Sequence, residues 1–210
     1  MELHTLAPDA PAAAVERWDR FVADAPDATF FHRAGWRDVL VRSFGHAPHF
    51  LYAEEGGEIV GVLPLARMRS LLFGDALIST PFCVYGGVAT ARADVRHALE
   101  EAAVALGVKL GVDHVEFRNL QPRRADWVQH ATHATFRKAI VADPDANLLA
   151  IPRKQRAEVR KGMERHLVAA PTTDIDLTWD LYATSVHRHG TPVYARRFFH
   201  DLTQIGRAHV

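Results

Sequence analysis

The sequence predicts an α/β or α+β fold in which a mixed β-sheet is flanked by helices. The clearest observation is a hairpin pattern, because strand-like runs at 49–55 and 58–70 flank the turn dipeptide Gly56-Gly57. A second is the run RADVRHALEEAAVAL at 92–106, which has high helix propensity. Shorter strand-like runs stand on both sides of this helix, so strands and helices are expected to surround one sheet.

The amino-terminal part is predicted to contain one strand and two helices. Residues 2–6 have the character of a short strand. Asp9 is a candidate N-cap, and Pro11 can occupy the first turn of the helix that follows. The apolar residues that recur there at helical spacing are Val15, Trp18, Phe21 and Val22. A second helix is predicted over 34–43, and Gly45 is expected to end it.

The central part is predicted to add strands on both sides of the helix at 92–106. Pro64 lies inside the second hairpin strand and has no N–H to donate, so an edge position or a bulge is expected there. Further strands are predicted at 75–80, 114–119 and 134–142. The resulting order is strand, two helices, three strands, helix and two strands.

After the turn-like run at 143–147 the pattern becomes helical, and a helix is predicted to begin near Pro152. The apolar residues that define its buried face, at i, i+4 and i+8, are Val159, Met163 and Leu167. The elements predicted after it are a short strand at 167–171 and helices at about 175–189 and 195–203.

Composition and charge indicate a soluble globular protein. Of 210 residues, 48% are hydrophobic and 24% are charged, and the 25 basic and 25 acidic residues cancel. Zero net charge argues against general coating of nucleic acid. The one cysteine, Cys83, excludes an internal disulfide framework, and the sequence shows neither a signal peptide nor an apolar run that could span a bilayer. A cytoplasmic protein is therefore expected.

One stretch departs from this charge balance. Residues 151–167, IPRKQRAEVRKGMERHL, carry only Glu158 and Glu164 as acids. The bases in it are Arg153, Lys154, Arg156, Arg160, Lys161 and Arg165. Arginine forks suit phosphate, so Arg156, Arg160 and Lys161 are candidate substrate-binding residues. The alternative is a solvated helix face on which the acids pair locally.

Three stretches together carry a family resemblance: YGGVA at 85–89, IPRKQRAEVRKGMERHLVA at 151–169 and SVHRHGTPVYARRFF at 185–199. Through them the chain resembles FemAB-related proteins of the kind associated with PEP-CTERM/exosortase systems. That group is similar to the Fem aminoacyltransferases, a branch of the GNAT acyltransferase superfamily that builds peptidoglycan cross-bridges. The resemblance covers nearly all of residues 1–203.

The resemblance implies a tandem GNAT architecture in which the second domain is truncated. The first GNAT-like domain would comprise residues 1–145, and 146–203 would be the start of the second. Residues 205–210, IGRAHV, match the translation of a common sequencing-adapter sequence, ATC GGA AGA GCA CAC GTC, which is followed by the stop triplet TGA. Its leading AG completes the codon of Gln204, so 204–210 is interpreted as an adapter artefact.

The resemblance also implies an acyl- or aminoacyl-transferase that acts on an amine of a cell-envelope or exopolysaccharide precursor. Acyl-CoA or aminoacyl-tRNA would be the donor in the full-length protein, and this chain alone would be an inactive fragment. GNAT enzymes that bind CoA typically show Q/R-x-x-G-x-G/A before the helix that holds the pyrophosphate. Residues 85–94, YGGVATARAD, depart from this pattern, so no cofactor is expected in the first domain.

The expected partners are a phosphorylated envelope or polysaccharide precursor and tRNA, and the oligomeric state is open. The alternative function is a non-catalytic GNAT-like module that binds a phosphorylated ligand or a partner protein. Catalytic residues are not identified and would lie in the missing carboxy-terminal part. Tyr85 and Gly86 are candidate substrate-binding residues, although a turn at the end of a strand explains them equally well.

His187 and Thr191 are further candidates for the substrate-binding groove, since a histidine can take a proton from an attacking amine. The alternative is a helix end, because Gly190 suits a C′ position and Pro192 stops a helix. Cys83 lies between Phe82 and Val84 and is interpreted as a buried, unreactive thiol. The paired histidines of HAPH at 46–49 and HATH at 130–133 lack accompanying Cys or acidic ligands, so no metal site is expected.

Overall fold

A computed structural model describes residues 1–72, 74–121, 124–130, 134–166, 168 and 170–205. The contacts divide the chain into two compact units. The first, which we call the sheet unit, comprises Met1–Arg123 and Ile175–Val210, and the second, the middle unit, is Arg124–Asp174. The predicted domain boundary near residue 145 stays a prediction.

The sheet unit begins with β1 (Glu2–Leu6), α1 (Ala12–Asp24), a 3-10 turn (Phe30–His32), α2 (Trp36–Phe44), β2 (Ala47–Glu55), β3 (Glu58–Ser70), β4 (Gly74–Ser79), α3 (Ala93–Leu110) and β5 (His114–Glu116). The middle unit contains α4 (Pro144–Leu149) and α5 (Arg153–Glu164). The last two helices, α6 (Ile175–Arg188) and α7 (Arg196–Gln204), belong to the sheet unit. No helix among the described residues is long and apolar enough to cross a membrane.

The described strands form one mixed sheet in the order β1-β2-β3-β4-β5. The first three pairings are antiparallel, whereas β4 and β5 run parallel over a register from Ala76–His114 to Ile78–Glu116. The predicted hairpin is confirmed as β2 and β3. Gly56 and Gly57 both have positive φ, at 60° and 86°, as the tight turn of such a hairpin requires.

Of the two features expected from Pro64, the edge position is wrong, because β3 lies at the centre of the sheet. β3 does contain a bulge, since Ala53 pairs with Gly61 and Glu54 with Ile59, but this bulge is not at Pro64, which faces Phe50 of β2 without a break. On the other side its carbonyl accepts a hydrogen bond from Thr80 N at 3.0 Å, just beyond the end of β4. The N and O of a residue in an antiparallel strand point the same way, so the missing N–H lies on the side of Thr80, beyond the last β3–β4 pair, and costs no bond of that ladder.

Two apolar clusters cover the two faces of the sheet. Helices α1 and α2 bury one face around Trp18, Trp36 and Phe50. Helix α3 covers the other, where Leu99 packs with Leu63. Residues of β3 contribute alternately to the two clusters, which explains why this strand is a nearly continuous apolar run.

The strand predicted at 134–142 is wrong, since these residues have no regular structure. Phe136 is 94% exposed, and no strand among the described residues pairs with this segment. Residues of high β propensity form a strand only when a neighbouring strand pairs with them. The described residues of the strand predicted at 167–171 are not in a strand either, and Leu167 lies outside the described residues. Helix α4 was not predicted, although Asp143 caps it by accepting from Asp145 N at 2.9 Å.

The helix predicted to begin near Pro152 is confirmed as α5, but the buried face assigned to it is wrong. Val159 is 41% exposed and Met163 is 63% exposed. No residue of α5, which the structure describes in full, is buried. Within the middle unit this helix contacts α4, which is too short to cover an apolar line.

Candidate functional site

The parallel strands β4 and β5 separate after Ile78 and Glu116, and this opening is the candidate site. Residues 80–89, which we call the mouth segment, leave β4 here and return to β3. Both ends are held on β3, because Thr80 N donates to Pro64 O and Ala89 exchanges two backbone hydrogen bonds with Val62, at 2.9 and 3.1 Å. The mouth segment therefore closes a loop over the point where the strands part.

Two hydrogen bonds to Arg118 connect the chain beyond β5 with the mouth segment and with the end of β4. Gly86 N donates to Arg118 O at 2.6 Å, and Arg118 N donates to Ser79 Oγ at 2.8 Å. The Arg118 guanidinium is bound on two sides, since Nε donates to Glu116 Oε1 at 2.7 Å and Nη1 donates to Cys83 O at 3.0 Å. Hydrogen bonds thus bridge the two strand ends, and the Arg118 guanidinium is held between Glu116 and the mouth segment.

The two glycines of YGG are required by contacts within the chain. A Cβ on Gly86 would lie 1.8 Å from Thr80 Oγ1. A Cβ on Gly87, whose φ is 97°, would lie 2.1 Å from Asn119 Oδ1. The close-approach and turn interpretation of Gly86 therefore has a structural basis. Tyr85 is half-buried beside it, and the substrate-binding role of both residues stays a prediction.

The mouth segment begins with strained backbone. Thr80 and Phe82 have φ values of 40° and 67°, which residues other than glycine rarely adopt. Thr80 is fully buried, and within the described structure its Oγ1 has no hydrogen-bond partner. A strained residue with an unsatisfied buried hydroxyl costs free energy, so the surrounding contacts must hold it in place.

One of these contacts is a histidine that the sequence did not single out. His32 is 1% exposed, and its Nε2 lies 3.0 Å from Gly87 O. On the other edge of the ring, Nδ1 accepts from Thr29 N at 3.0 Å and contacts Thr29 Oγ1 at 3.0 Å. The spacing of Thr29 and His32 is that of a capping box around the 3-10 turn, and this was the available sequence signal. Burial lowers the pKa of His32, although the hydrogen bond to Gly87 opposes this shift.

An aromatic cluster packs against Phe82 of the mouth segment. The Phe82 ring stacks on Phe44 of α2 at 3.9 Å, and Tyr194 meets both rings edge-on. Helix α7 packs against α2 through Phe198 and through a 2.6 Å hydrogen bond from Ser43 Oγ to Asp201. The carboxy-terminal helices thus help to position the candidate site.

The interpretation of Cys83 as an unreactive thiol is confirmed. It is buried, and burial raises the pKa of its thiol to about 12, so the thiol is protonated at neutral pH. Within the described part of the chain no three His, Cys, Asp or Glu residues group as metal ligands.

The basic candidates lie in the middle unit. Arg156 is half-buried, and its Nε donates to Ile151 O at 3.2 Å. Lys161 forms an exposed ion pair with Glu158 at 2.9 Å, as the solvated-face alternative expects. Arg160 is exposed and makes no hydrogen bond or ion pair with the described residues. The structure therefore leaves Arg160 as the residue of this group that is most available to a ligand.

His187 and Thr191 lie at the end of α6, where the helix-end alternative is confirmed. Gly190 has a φ of 69°, and its N donates to His187 O at 3.0 Å. Thr191 N donates to Val186 O at 3.3 Å, which completes a Schellman motif. The exposed His187 side chain is not needed for this cap, so a role in substrate binding stays a prediction.

No protein-family model matches the sequence, and no curated protein matches it significantly. Among solved structures the chain is similar to FemX, with a TM-score of 0.57 and 13% identity over 98% of this chain and 55% of that one. It aligns more weakly with an aminoglycoside 6'-N-acetyltransferase from Acinetobacter haemolyticus, at a TM-score of 0.42 and 12% identity over 67% of this chain and 100% of that one. A GNAT family acetyltransferase from Staphylococcus aureus aligns at a TM-score of 0.42 and 11% identity, over 67% and 100% of the two chains.

The chain thus spans about half the length of the FemX structure that it matches. At these identities the likeness concerns the fold alone. The chain has a mixed α/β, GNAT-like fold of the kind found in FemX.

Proposed function

We propose that this chain is part of an acyl- or aminoacyl-transferase that modifies an amine of a cell-envelope or exopolysaccharide precursor. The observation that carries the proposal is the FemX-like fold, which extends over 98% of the chain. The association with PEP-CTERM systems belongs to the same proposal and rests on the three sequence stretches given above. In this view the natural polypeptide continues past Thr203.

The reaction would be a direct aminolysis. The amine nitrogen forms a bond to the donor carbonyl carbon, and the bond from that carbon to the tRNA ester oxygen or to the CoA sulfur breaks. The proton lost by the amine leaves with the solvent or with the departing oxygen or sulfur. Such a step needs an oriented donor and hydrogen-bond donors for the carbonyl oxygen.

The sheet unit is not expected to take the CoA donor in the usual way. The opening between its strands β4 and β5 is bridged by the Gly86–Arg118 hydrogen bond. The start of α3, where a pyrophosphate would bind, carries Asp94 in its first turn. Arg92 is already paired there with Asp94 and with Glu55. These carboxylates satisfy the positive end of the helix and would repel a phosphate.

The middle unit is the proposed phosphate-binding element. Arg160 would contact a phosphate of the precursor or of tRNA, and Arg156 and Lys161 would add positive potential around it. The second candidate function is a non-catalytic module that binds a phosphorylated ligand. The hydrogen bond that bridges the opening between β4 and β5 favours this alternative, because a catalytic cleft must be open to substrate.

The test compares this chain with the natural polypeptide, cloned from its source locus to the stop codon that lies beyond the codon for Thr203. Each is incubated with labelled aminoacyl-tRNA or acetyl-CoA and an amine-bearing envelope precursor. We expect amine-dependent transfer by the natural polypeptide and none by this chain. Binding of the phosphorylated precursor without transfer by either protein would support the non-catalytic module instead.

A further inference from the structure

The turn between β3 and β4 is apolar, and the fold does not use its apolar side chains. β3 ends at Ser70 and β4 begins at Gly74, and Leu71 and Leu72, which we call the β3–β4 tip, are the described residues between them. Leu71 is fully exposed and Leu72 is 86% exposed, and neither belongs to the two apolar clusters of the sheet unit. Hairpin turns usually carry Gly, Pro, Asn, Asp or Ser. The tip therefore keeps two leucines in water without a gain in packing among the described residues.

The tip lies at the end of a ribbon that extends beyond the neighbouring strands. On one side β2 begins at Ala47, which pairs with Arg67, so the last three residues of β3 have no partner in that strand. Three strand residues rise about 10 Å. On the other side Asp75 N donates to Asp113 Oδ2 at 2.9 Å, and the tip lies beyond this bond. The leucines are thus past the strands on both sides, where an apolar phase can surround them.

The end of the sheet that carries the tip has an excess of basic residues. Helices α2 and α3 both end there, because α2 leads directly into β2 and α3 leads directly into β5. Arg42 and Lys109 are exposed in the last turns of these helices, and neither forms an ion pair with the described residues. Together with the ribbon this gives four bases, Arg42, Arg67, Arg69 and Lys109, against two acids, Asp75 and Asp113.

Arginines neutralise the acid that belongs to the ribbon itself. The Asp75 carboxylate accepts from Arg67 Nε at 2.9 Å and from Arg67 Nη2 at 2.5 Å, and Arg69 Nε lies 3.4 Å from it. Asp201, which α7 places beside α2, is paired with Arg197 at 3.4 Å. The Arg69 side chain remains 73% exposed, so the charge next to the tip is positive. The chain as a whole has no net charge, which makes this excess local.

An apolar tip surrounded by bases matches the surface of a membrane that contains anionic lipid. Leucine side chains favour the boundary between headgroups and acyl chains, and exposed arginines beside them can reach the lipid phosphates. A protein partner is the weaker match, because a stable protein interface buries about 800 Å² on each side. Two leucines at the end of a two-stranded ribbon offer much less area.

We propose that the β3–β4 tip docks this chain on a membrane, with Leu71 and Leu72 inserted into the bilayer surface and the surrounding bases against the phosphates of anionic lipids. Docking by two side chains is weak and reversible, since even one long acyl chain gives only marginal binding. Docking would hold the chain beside lipid-linked precursors, and only this consequence rests on the proposed function. The docking itself needs neither donor nor precursor, so its failure and the failure of acyl transfer are separate results.

The first experiment is flotation of this chain with vesicles of phosphatidylcholine alone and of phosphatidylcholine mixed with phosphatidylglycerol. We expect binding to the mixed vesicles, and the double variant Leu71→Ser/Leu72→Ser should lower the partition coefficient at least about tenfold, because the leucines no longer leave water. Val84→Ser is the matched control, since Val84 is 77% exposed beyond the other end of β4, and it should bind like the parent chain. Equal binding by the double variant and the parent, or no binding by the parent, would overturn the proposal.

The contribution of charge is tested with Arg69→Gln. Loss of one base near an anionic surface should weaken binding to the mixed vesicles about fivefold and leave binding to phosphatidylcholine unchanged. Added salt should reduce this difference, because it screens exposed charges. If Arg69→Gln binds the mixed vesicles as the parent does, the bases are not part of the docking surface and the proposal is wrong in this respect.

A label at the tip shows whether these residues enter the bilayer. The natural Cys83 is buried with a thiol pKa of about 12, so a thiol introduced by Leu72→Cys can be labelled selectively with a polarity-sensitive fluorophore. Its emission should shift to shorter wavelength with the mixed vesicles, whereas the same label at Val84→Cys should not respond. A shift at both positions would indicate unspecific adsorption and contradict the proposal.

Stability and oligomeric state distinguish a membrane from a second copy of the chain. The tip leucines are exposed, so Leu71→Ser/Leu72→Ser should leave Tm unchanged. Light scattering without vesicles should give the same mass for the parent and the double variant. A dimeric parent that becomes monomeric in the double variant would assign the tip to contact between copies and refute docking on lipid.

Discussion

The contact between Gly86 and Thr80 offers a quantitative test of the mouth geometry. In Gly86→Ala the new Cβ would lie 1.8 Å from Thr80 Oγ1 and 2.7 Å from its Cβ, so one of the two residues must move. Overpacking of this kind costs about 1–3 kcal/mol. We place this case at about 2–3 kcal/mol, because the obstructing residue is itself buried and strained. The expected fall in Tm is about 5–10 °C for a chain of this size.

The reciprocal change should restore stability. Thr80→Gly removes every side-chain atom that obstructs the new Cβ, and glycine accepts the φ of 40° without strain. The double variant should therefore regain at least about 1.5 kcal/mol relative to the sum of the single changes. Chemical unfolding of the four proteins measures this coupling.

Gly162→Ala in α5 is the matched control, because a Cβ there meets nothing within 4 Å. It should be neutral or stabilise the chain by about 0.5–1 kcal/mol, as alanine does in an exposed helix. If Gly86→Ala behaves like this control, or if the coupling with Thr80→Gly is zero, the described mouth geometry is wrong.

Three further predictions concern charge and ligands. Because burial lowers the pKa of His32 in the folded chain, its contribution to stability is complete above about pH 6.5 and is lost as the pH falls below this value. The difference in unfolding free energy between wild type and His32→Gln should therefore decrease as the pH falls below about 6.5. A difference that does not change with pH would contradict this prediction. Acetyl-CoA should not bind this chain with micromolar affinity, which calorimetry checks. Arg160→Ala should weaken tRNA or precursor binding roughly ten- to a hundredfold with Tm unchanged, whereas a lower Tm at unchanged affinity would make Arg160 structural.

The hairpin and the flanking helices could be predicted because their signals are local. Gly56-Gly57 determines its own turn, and the helical spacing around Trp18 needs no distant partner to be recognised. The strand at 134–142 could not be assigned correctly in this way, since a strand exists only where another strand pairs with it. The same limit explains the wrong edge assignment of Pro64. A proline can lie in the central strand β3 because the neighbouring strand β4 ends before it would need the missing N–H.

The candidate site was only partly predictable. The YGG stretch stands out in the sequence, but the reason for its glycines lies in Thr80 and Asn119, and Asn119 is more than 30 residues away. His32 has no distinguishing sequence context beyond the Thr29 capping spacing, and its contact with Gly87 arises from the fold. Long-range contacts of this kind carry no local pattern.

Acyl transfer by the natural polypeptide tests the central claim most directly. The polypeptide encoded by the uninterrupted source locus is mixed with labelled aminoacyl-tRNA or acyl-CoA, with or without an amine-bearing envelope precursor, and the labelled amide product is quantified. We expect amide formation that requires both donor and amine. Precursor binding without any amide product, across both donor classes, would contradict it and leave the chain as a binding module.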